Sequence, residues 1–164
     1  MLDVVGYPSD VLLAPTHRVD VFDAALRSFV DDMVDVMYSS EGVGLAAPQV
    51  GSSRRLVLVD PSGGGEANQL LVMINPEVTW RSDELVAGEE GCLSLPGVLL
   101  NVIRNVSVQV EYDDVDGAHR LIRLVDDGAR IAQHEIDHVD GVLMIDRVGT
   151  MARKIGLKGL GKNR

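Results

Sequence analysis

His134, Glu135 and His138 stand in the pattern His-Glu-x-x-His. On a helix, residues four apart share one face. The two imidazoles can therefore aim nitrogen atoms at one ion. Glu135 would sit beside that ion without being a ligand, where a carboxylate can accept a proton from an activated water. A catalytic ion of this kind usually takes three protein ligands and keeps one position open. Cys92, His17, His119 and the carboxylates are the candidates for the third donor. Cys92 lies in GEEGCLSLPG (88–97), with Gly91 before it and Pro96-Gly97 after. The segment is too polar for ordinary core, and its glycines let backbone come close to a ligand. A thiolate and two neutral imidazoles would leave a divalent ion with a net charge of about +1, enough to lower the pKa of a bound water toward neutrality.

These residues need elements to hold them. After Asp20, a plausible N-cap, Phe22, Ala25, Leu26, Phe29, Met33, Val36 and Met37 recur at spacings of three and four, which predicts an amphipathic helix. EGVGLAAPQVG (41–51) reads as a loop poor in polar side chains. RRLVLVD (54–60) and LLVMIN (70–75) predict a hairpin around the turn at 62–65, and 77–80 the start of another strand. VSVQVEY (106–112) and HRLIRLV (119–125) predict a second hairpin turning at Asp116-Gly117. Asp126-Asp127 open a helix that carries the histidines. Ile131, Ile136, Val139 and Val142 are its expected core contacts, and Gly141 its C-terminal stop. The last residues predict at most a short helix, weakened by glycines. Helix, strands, then helix without βαβ alternation predicts an α+β fold with mainly antiparallel sheet.

The length of 164 residues suits one domain, 1–164. With 46% apolar but only 4% aromatic residues, the core must be aliphatic. No apolar run reaches the roughly 18 residues of a membrane span. The N-terminus has neither a basic start nor a long apolar stretch, so a cytoplasmic location is expected. One cysteine excludes an internal disulfide and suits a reducing compartment. The net charge of −10 is segregated: from Arg147 onward there are six basic residues and no acidic ones. The acidic body argues against specific DNA binding. The basic tail, 151–164, is expected to make weak ribosome contact.

GVGLAAPQVG (42–51), EGCLSLPG (90–97) and QHEIDHVDG (133–141) resemble, in order, the three signature motifs of the peptide deformylases, in their bacterial-type version. The resemblance spans most of the chain. It implies antiparallel sheets packed around the HExxH helix. It also implies hydrolytic removal of the formyl group from N-formyl-methionyl peptides, with release of formate. By position it implies Cys92, His134 and His138 as metal ligands and Glu135 as general acid/base. Gln49 and the Leu93 backbone N–H would bind the formyl oxygen. Gly44, Leu45 and Gly91 would bind substrate. The ion implied is one divalent metal, Fe2+ first, with Zn2+, Ni2+ or Co2+ able to occupy the site. Glu90 or Asp137 is expected to orient a ligand imidazole, and Arg104 to pair with Glu41. Leu99 departs from the arginine many relatives carry, which leaves open how the substrate-side wall is built. Two other readings share part of the pattern: a metallopeptidase cutting internal amides, and a non-catalytic protein with a closed four-ligand metal.

Overall fold

The computed structural model describes residues 1–64 and 69–162; Gly65 of the expected turn and the last two residues of the expected tail lie outside them. In order come helices α1 (Asp10–Leu13) and α2 (Ala24–Ser39), strand β1 (Gly44–Ala46), a 3-10 turn (Ala47–Val50), and strands β2 (Leu56–Val59) and β3 (Leu71–Arg81). Strands β4 (Leu85–Glu90), β5 (Leu100–Asn105), β6 (Ser107–Asp113) and β7 (His119–Val125) follow. Helix α3 (Asp126–Val139), a second 3-10 turn (Met144–Asp146) and helix α4 (Thr150–Lys162) complete the chain. Five strands form a sheet in the order β1-β2-β3-β6-β7, and β4 pairs with β5 separately. Every pairing between these strands is antiparallel. The fold is α+β, as expected.

Strand β2 explains the layering. Successive side chains on a strand point to opposite faces. Leu56 and Leu58 meet Leu26, Val30, Met33 and Met37 of α2. Val57 and Val59 meet Ala129, Ala132, Ile136 and Val139 of α3. Both faces are covered, so the strand reads as an unbroken apolar run rather than an alternating one. A third cluster joins β5 and the 95–100 segment to the second 3-10 turn and α4. Helix α3 touches both this side and the five-stranded sheet. Ten of its fourteen residues are buried.

Several expectations are corrected. Helix α2 is capped by Asp23, whose carboxylate accepts from Leu26 N at 2.9 Å, and not by Asp20. Ahead of the helix, Asn75 holds both Val19 N and Val19 O, at 2.7 and 2.8 Å. Val30 lies in the core, and Ala25 is exposed. Residues 77–80 begin no new strand; β3 runs through them past register shifts. Asn75 there has φ 53°, and Pro76, which cannot donate to a ladder, sits in the irregularity. Residues 41–51 hold a short strand and a 3-10 turn rather than a plain loop. Strands β4 and β5 were not anticipated. Val142 lies beyond α3 and is only half-buried. Helix α4 is thirteen residues long despite its glycines. Gly156 faces the third cluster, and a Cβ there would come within 3.2 Å of Val98 and 3.3 Å of Leu100. Glycine lets the helix approach. Gly141 does mark the stop: it has φ 74°, and a Cβ there would lie 2.9 Å from the Ala14 backbone.

Candidate metal centre

Helix α3 presents His134 and His138 one turn apart, and the turn after β4 brings Cys92 to them. One ligand-type atom from each of the three lies within 4.8 Å of the others. Cys92 Sγ is 3.3 Å from His138 Nε2. No other such cluster occurs among the described residues. His17 instead forms an isolated backbone bridge with Arg54, and His119 is on β7 beside Asp113. Of the four candidates for the third donor, Cys92 is the one at the histidines.

Strand β1 lies against the carboxylate. A Cβ on Gly44 would come within 2.6 Å of Glu135 Oε1 and 2.8 Å of Ile131 Cγ2, so only hydrogen fits there. The Gln49 side chain is buried: Oε1 accepts from Ala46 N at 3.0 Å, and Nε2 points at Cys92 Sγ (3.5 Å) and Ser94 Oγ (3.4 Å). A cleft of about 410 Å³ opens over these groups. Gly44, Gln49, Gly91, Cys92, Leu93, His134 and Glu135 line it. Leu99, 63% exposed, also lines it. The Leu45 side chain is not in the cleft but in the core with α2. Any contact of Leu45 with a ligand would run through its backbone.

Behind the histidines lies a buried network of charges. Glu90 Oε1 accepts from His134 Nδ1 at 2.8 Å, which puts the lone pair of the neutral ring on Nε2. Arg104 forks onto Glu90 through Nε and Nη2, both at 2.9 Å, and reaches Asp137 Oδ2 through Nη1 at 2.5 Å. Arg104 therefore pairs with Glu90 and Asp137. The expected partner, Glu41, is exposed at the rim of the cleft. Arg130 donates to Glu90 Oε2 and to the carbonyls of Val86 and Val102, each at 2.8 Å, and so ties β4 and β5 to α3. A Cβ on Gly88 would sit within 2.8 Å of that guanidinium.

These surroundings set the charges. Burial alone would raise the Glu90 pKa, but hydrogen bonds from Arg104 and His134, with their positive charges, hold it down to about 2. Burial pushes Glu135 up to about 7. Its Oε2 has no partner among the described residues. Burial drives His138 well below the usual imidazole range. For His134 burial is outweighed by hydrogen bonds to Cys92 and Glu90 and by the Glu135 charge, which favour a positive charge at this point. A thiol, two imidazoles and an orphaned carboxylate oxygen gathered in one place fit a divalent cation.

An α+β fold whose HExxH helix shares a cation-sized cluster with a cysteine from another segment has the donor set of a metalloprotein. The profile of the polypeptide deformylase family matches residues 1–154. Peptide deformylase from Thermodesulfovibrio yellowstonii is 39% identical over 155 residues, 94% of this chain and 93% of that protein. Peptide deformylase 1B of Arabidopsis thaliana is 44% identical over 147 residues, 90% of this chain; the chain spans about half (54%) of that relative's length. A crystal structure of the Arabidopsis enzyme with an inhibitor superposes with a TM-score of 0.93 at 40% identity, covering 99% of this chain and 90% of that one. A peptide deformylase from Legionella pneumophila gives the same TM-score at 35% identity, covering 99% and 95%. The chain belongs to the polypeptide deformylase family.

Reading the sequence missed Arg130 and Arg147, and gave Arg104 the wrong partner. A signal existed. In LNVIRN the even positions 100, 102 and 104 are buried and the odd ones are not. An arginine on the buried side of an alternating strand demands a buried counter-charge.

Proposed function

We propose that the chain removes the formyl group from N-formyl-methionyl nascent polypeptides, yielding formate and a free amino terminus. The observation that carries this reading is the convergence of Cys92, His134 and His138 beside the unpartnered Glu135 oxygen, at the floor of an open cleft. The ion these three residues would hold supplies Lewis acidity, polarising a carbonyl and easing ionisation of water.

The chain's own residues do the rest. Glu135 Oε2 accepts the proton of the attacking water and returns it to the departing amine nitrogen. Gln49 Nε2, fixed by the bond its Oε1 accepts from Ala46, serves as a donor for the formyl oxygen. So does Leu93 N–H, which donates to no acceptor among the described residues. Each such donor is worth about 3 kcal/mol to the transition state. The backbone at Gly44 and Leu45, on an edge strand of the sheet, pairs with the extended substrate, and Gly91 leaves room opposite. Val43, Leu93, Leu95 and Val98 offer apolar surface for the methionine side chain.

By resemblance we assign Fe2+ as the ion; the same donors accept Zn2+, Ni2+ or Co2+. A thiol that must stay reduced to bind metal fits the cytoplasm. Residues 1–164 are read as one catalytic domain. Protein prepared without oxygen should contain about one Fe2+ per chain and release formate from formyl-Met-peptides while leaving unformylated peptides intact. Absence of formate, or cleavage of internal amides regardless of a formyl group, would refute the assignment. Among the described residues, no helix is long and apolar enough to cross a membrane. On the charge asymmetry we assign the basic C-terminal segment, α4 included, a weak ribosome contact. Deleting residues 151–164 should reduce salt-sensitive co-sedimentation with ribosomes, and unchanged sedimentation rules it out.

A further inference from the structure

Asp137 sits on α3 three residues after His134 and one before His138, and it is buried. Two guanidinium groups hold its carboxylate. Arg104 Nη1 donates to Oδ2 at 2.5 Å. Arg147, which follows the second 3-10 turn, donates from Nε to Oδ2 at 3.0 Å and from Nη2 to Oδ1 at 2.7 Å. The remaining donors of the Arg104 fork are on Glu90, and Glu90 holds the His134 ring. An unbroken series of charge-assisted hydrogen bonds thus links Arg147 to a ligand-type histidine.

Without Arg147, Arg104 would be the sole cation for Asp137 while also serving Glu90. Arg130 cannot substitute, because its donors go to Glu90 and to carbonyls of the β4–β5 hairpin. Asp137 Oδ1 has Arg147 as its side-chain donor. A buried carboxylate left half-paired draws the nearest guanidinium toward itself.

We propose that Arg147 is a positioning residue for His134: by taking Oδ1 of Asp137 it leaves the Arg104 fork on Glu90, and Glu90 then keeps the His134 ring turned with Nε2 toward the ion. The C-terminal segment is in this way mechanically part of the metal site. The inference rests on the reading that Cys92, His134 and His138 hold a divalent ion.

The test is the affinity of metal-free protein for Co2+, measured against a competing chelator, with thermal melting to confirm folding. Arg147→Ala should weaken Co2+ binding about fivefold, less than the 10–100-fold typical of a group touching the ligand itself. Arg147→Lys keeps the charge but cannot fork, and should fall between Arg147→Ala and the wild type. Arg153→Ala breaks a pair with Asp146 (2.6 Å) next to the same turn but does not touch the series, so it should bind as the wild type does. On an Asp137→Asn background, Arg147→Ala should add less than about twofold. Wild-type affinity in Arg147→Ala overturns the inference, as does equal weakening by Arg153→Ala. If Arg147→Ala does not fold, wild-type affinity in Arg147→Lys overturns it. A wild-type chain that binds no Co2+ overturns the metal reading along with it.

Discussion

The two sides of α3 are furnished in opposite ways. Toward the cleft, polar groups are underused. Glu135 Oε2 has no partner among the described residues, and Gln49 Nε2 makes only contacts of 3.4 and 3.5 Å. Behind the helix, the donors and acceptors are densely matched: Glu90 accepts from Arg104, Arg130 and His134, and Asp137 from Arg104 and Arg147. A buried polar group left unmatched costs about 1–3 kcal/mol, and breaking a buried ion pair about 3–5 kcal/mol. The first cost is borne where groups must meet a ligand. The second is avoided where groups must not move. The two histidines differ from each other, and the second is an exception behind the helix. His134 Nδ1 is braced by Glu90, and His138 Nδ1 has no partner among the described residues.

The strongest challenge to this contrast is Glu135→Gln. If the cleft side is reserved for chemistry, the turnover rate should fall about 10²–10⁴-fold while metal content and melting temperature hold. A variant that turns over normally, or one that merely unfolds, would erase the distinction. Glu90→Gln should do the reverse. It leaves Arg104 short of a counter-charge, lowering the melting temperature and costing about 10–100-fold in metal affinity. The sign with pH follows from the depressed pKa. The Glu90 contribution to stability is complete above its ordinary value of 4.5 and is lost as pH falls toward about 2, so the gap between wild type and Glu90→Gln should close in acid. A gap that stays constant from neutrality to pH 2 would show that the ion pair is not what the variant removes. The smallest effect, the fivefold loss with Arg147→Ala, asks how far behind α3 the braced region extends.

Much of this arrangement was legible in the chain alone. The spacing of His134 and His138, with Glu135 between them, predicted a helix able to aim both imidazoles at one ion. The alternation in 106–112 and 119–125 fixed a hairpin that is observed with Ser107 opposite Val125. Helix α2 was visible from its apolar spacing, but its start was not. The segment ahead of it is tied through Val19 to Asn75, 56 residues away, and no local preference encodes that bond. Strand β4 was invisible because Leu85, Val86 and Ala87 are all exposed, which removes the alternation that signals a half-buried strand. Glycines argued against α4, yet Gly156 is there because the helix lies close to Val98 and Leu100.

By itself the sequence determined which atoms could bind an ion and which carboxylate could move a proton, because those depend on residue type and on spacing within one helix turn. Only the tertiary structure shows Cys92, rather than His17 or His119, beside the two histidines, and Arg104 paired with Glu90 and Asp137 rather than Glu41. Those choices join residues from separate elements, and the energy of a buried charge depends on what folding brings within about 3 Å of it.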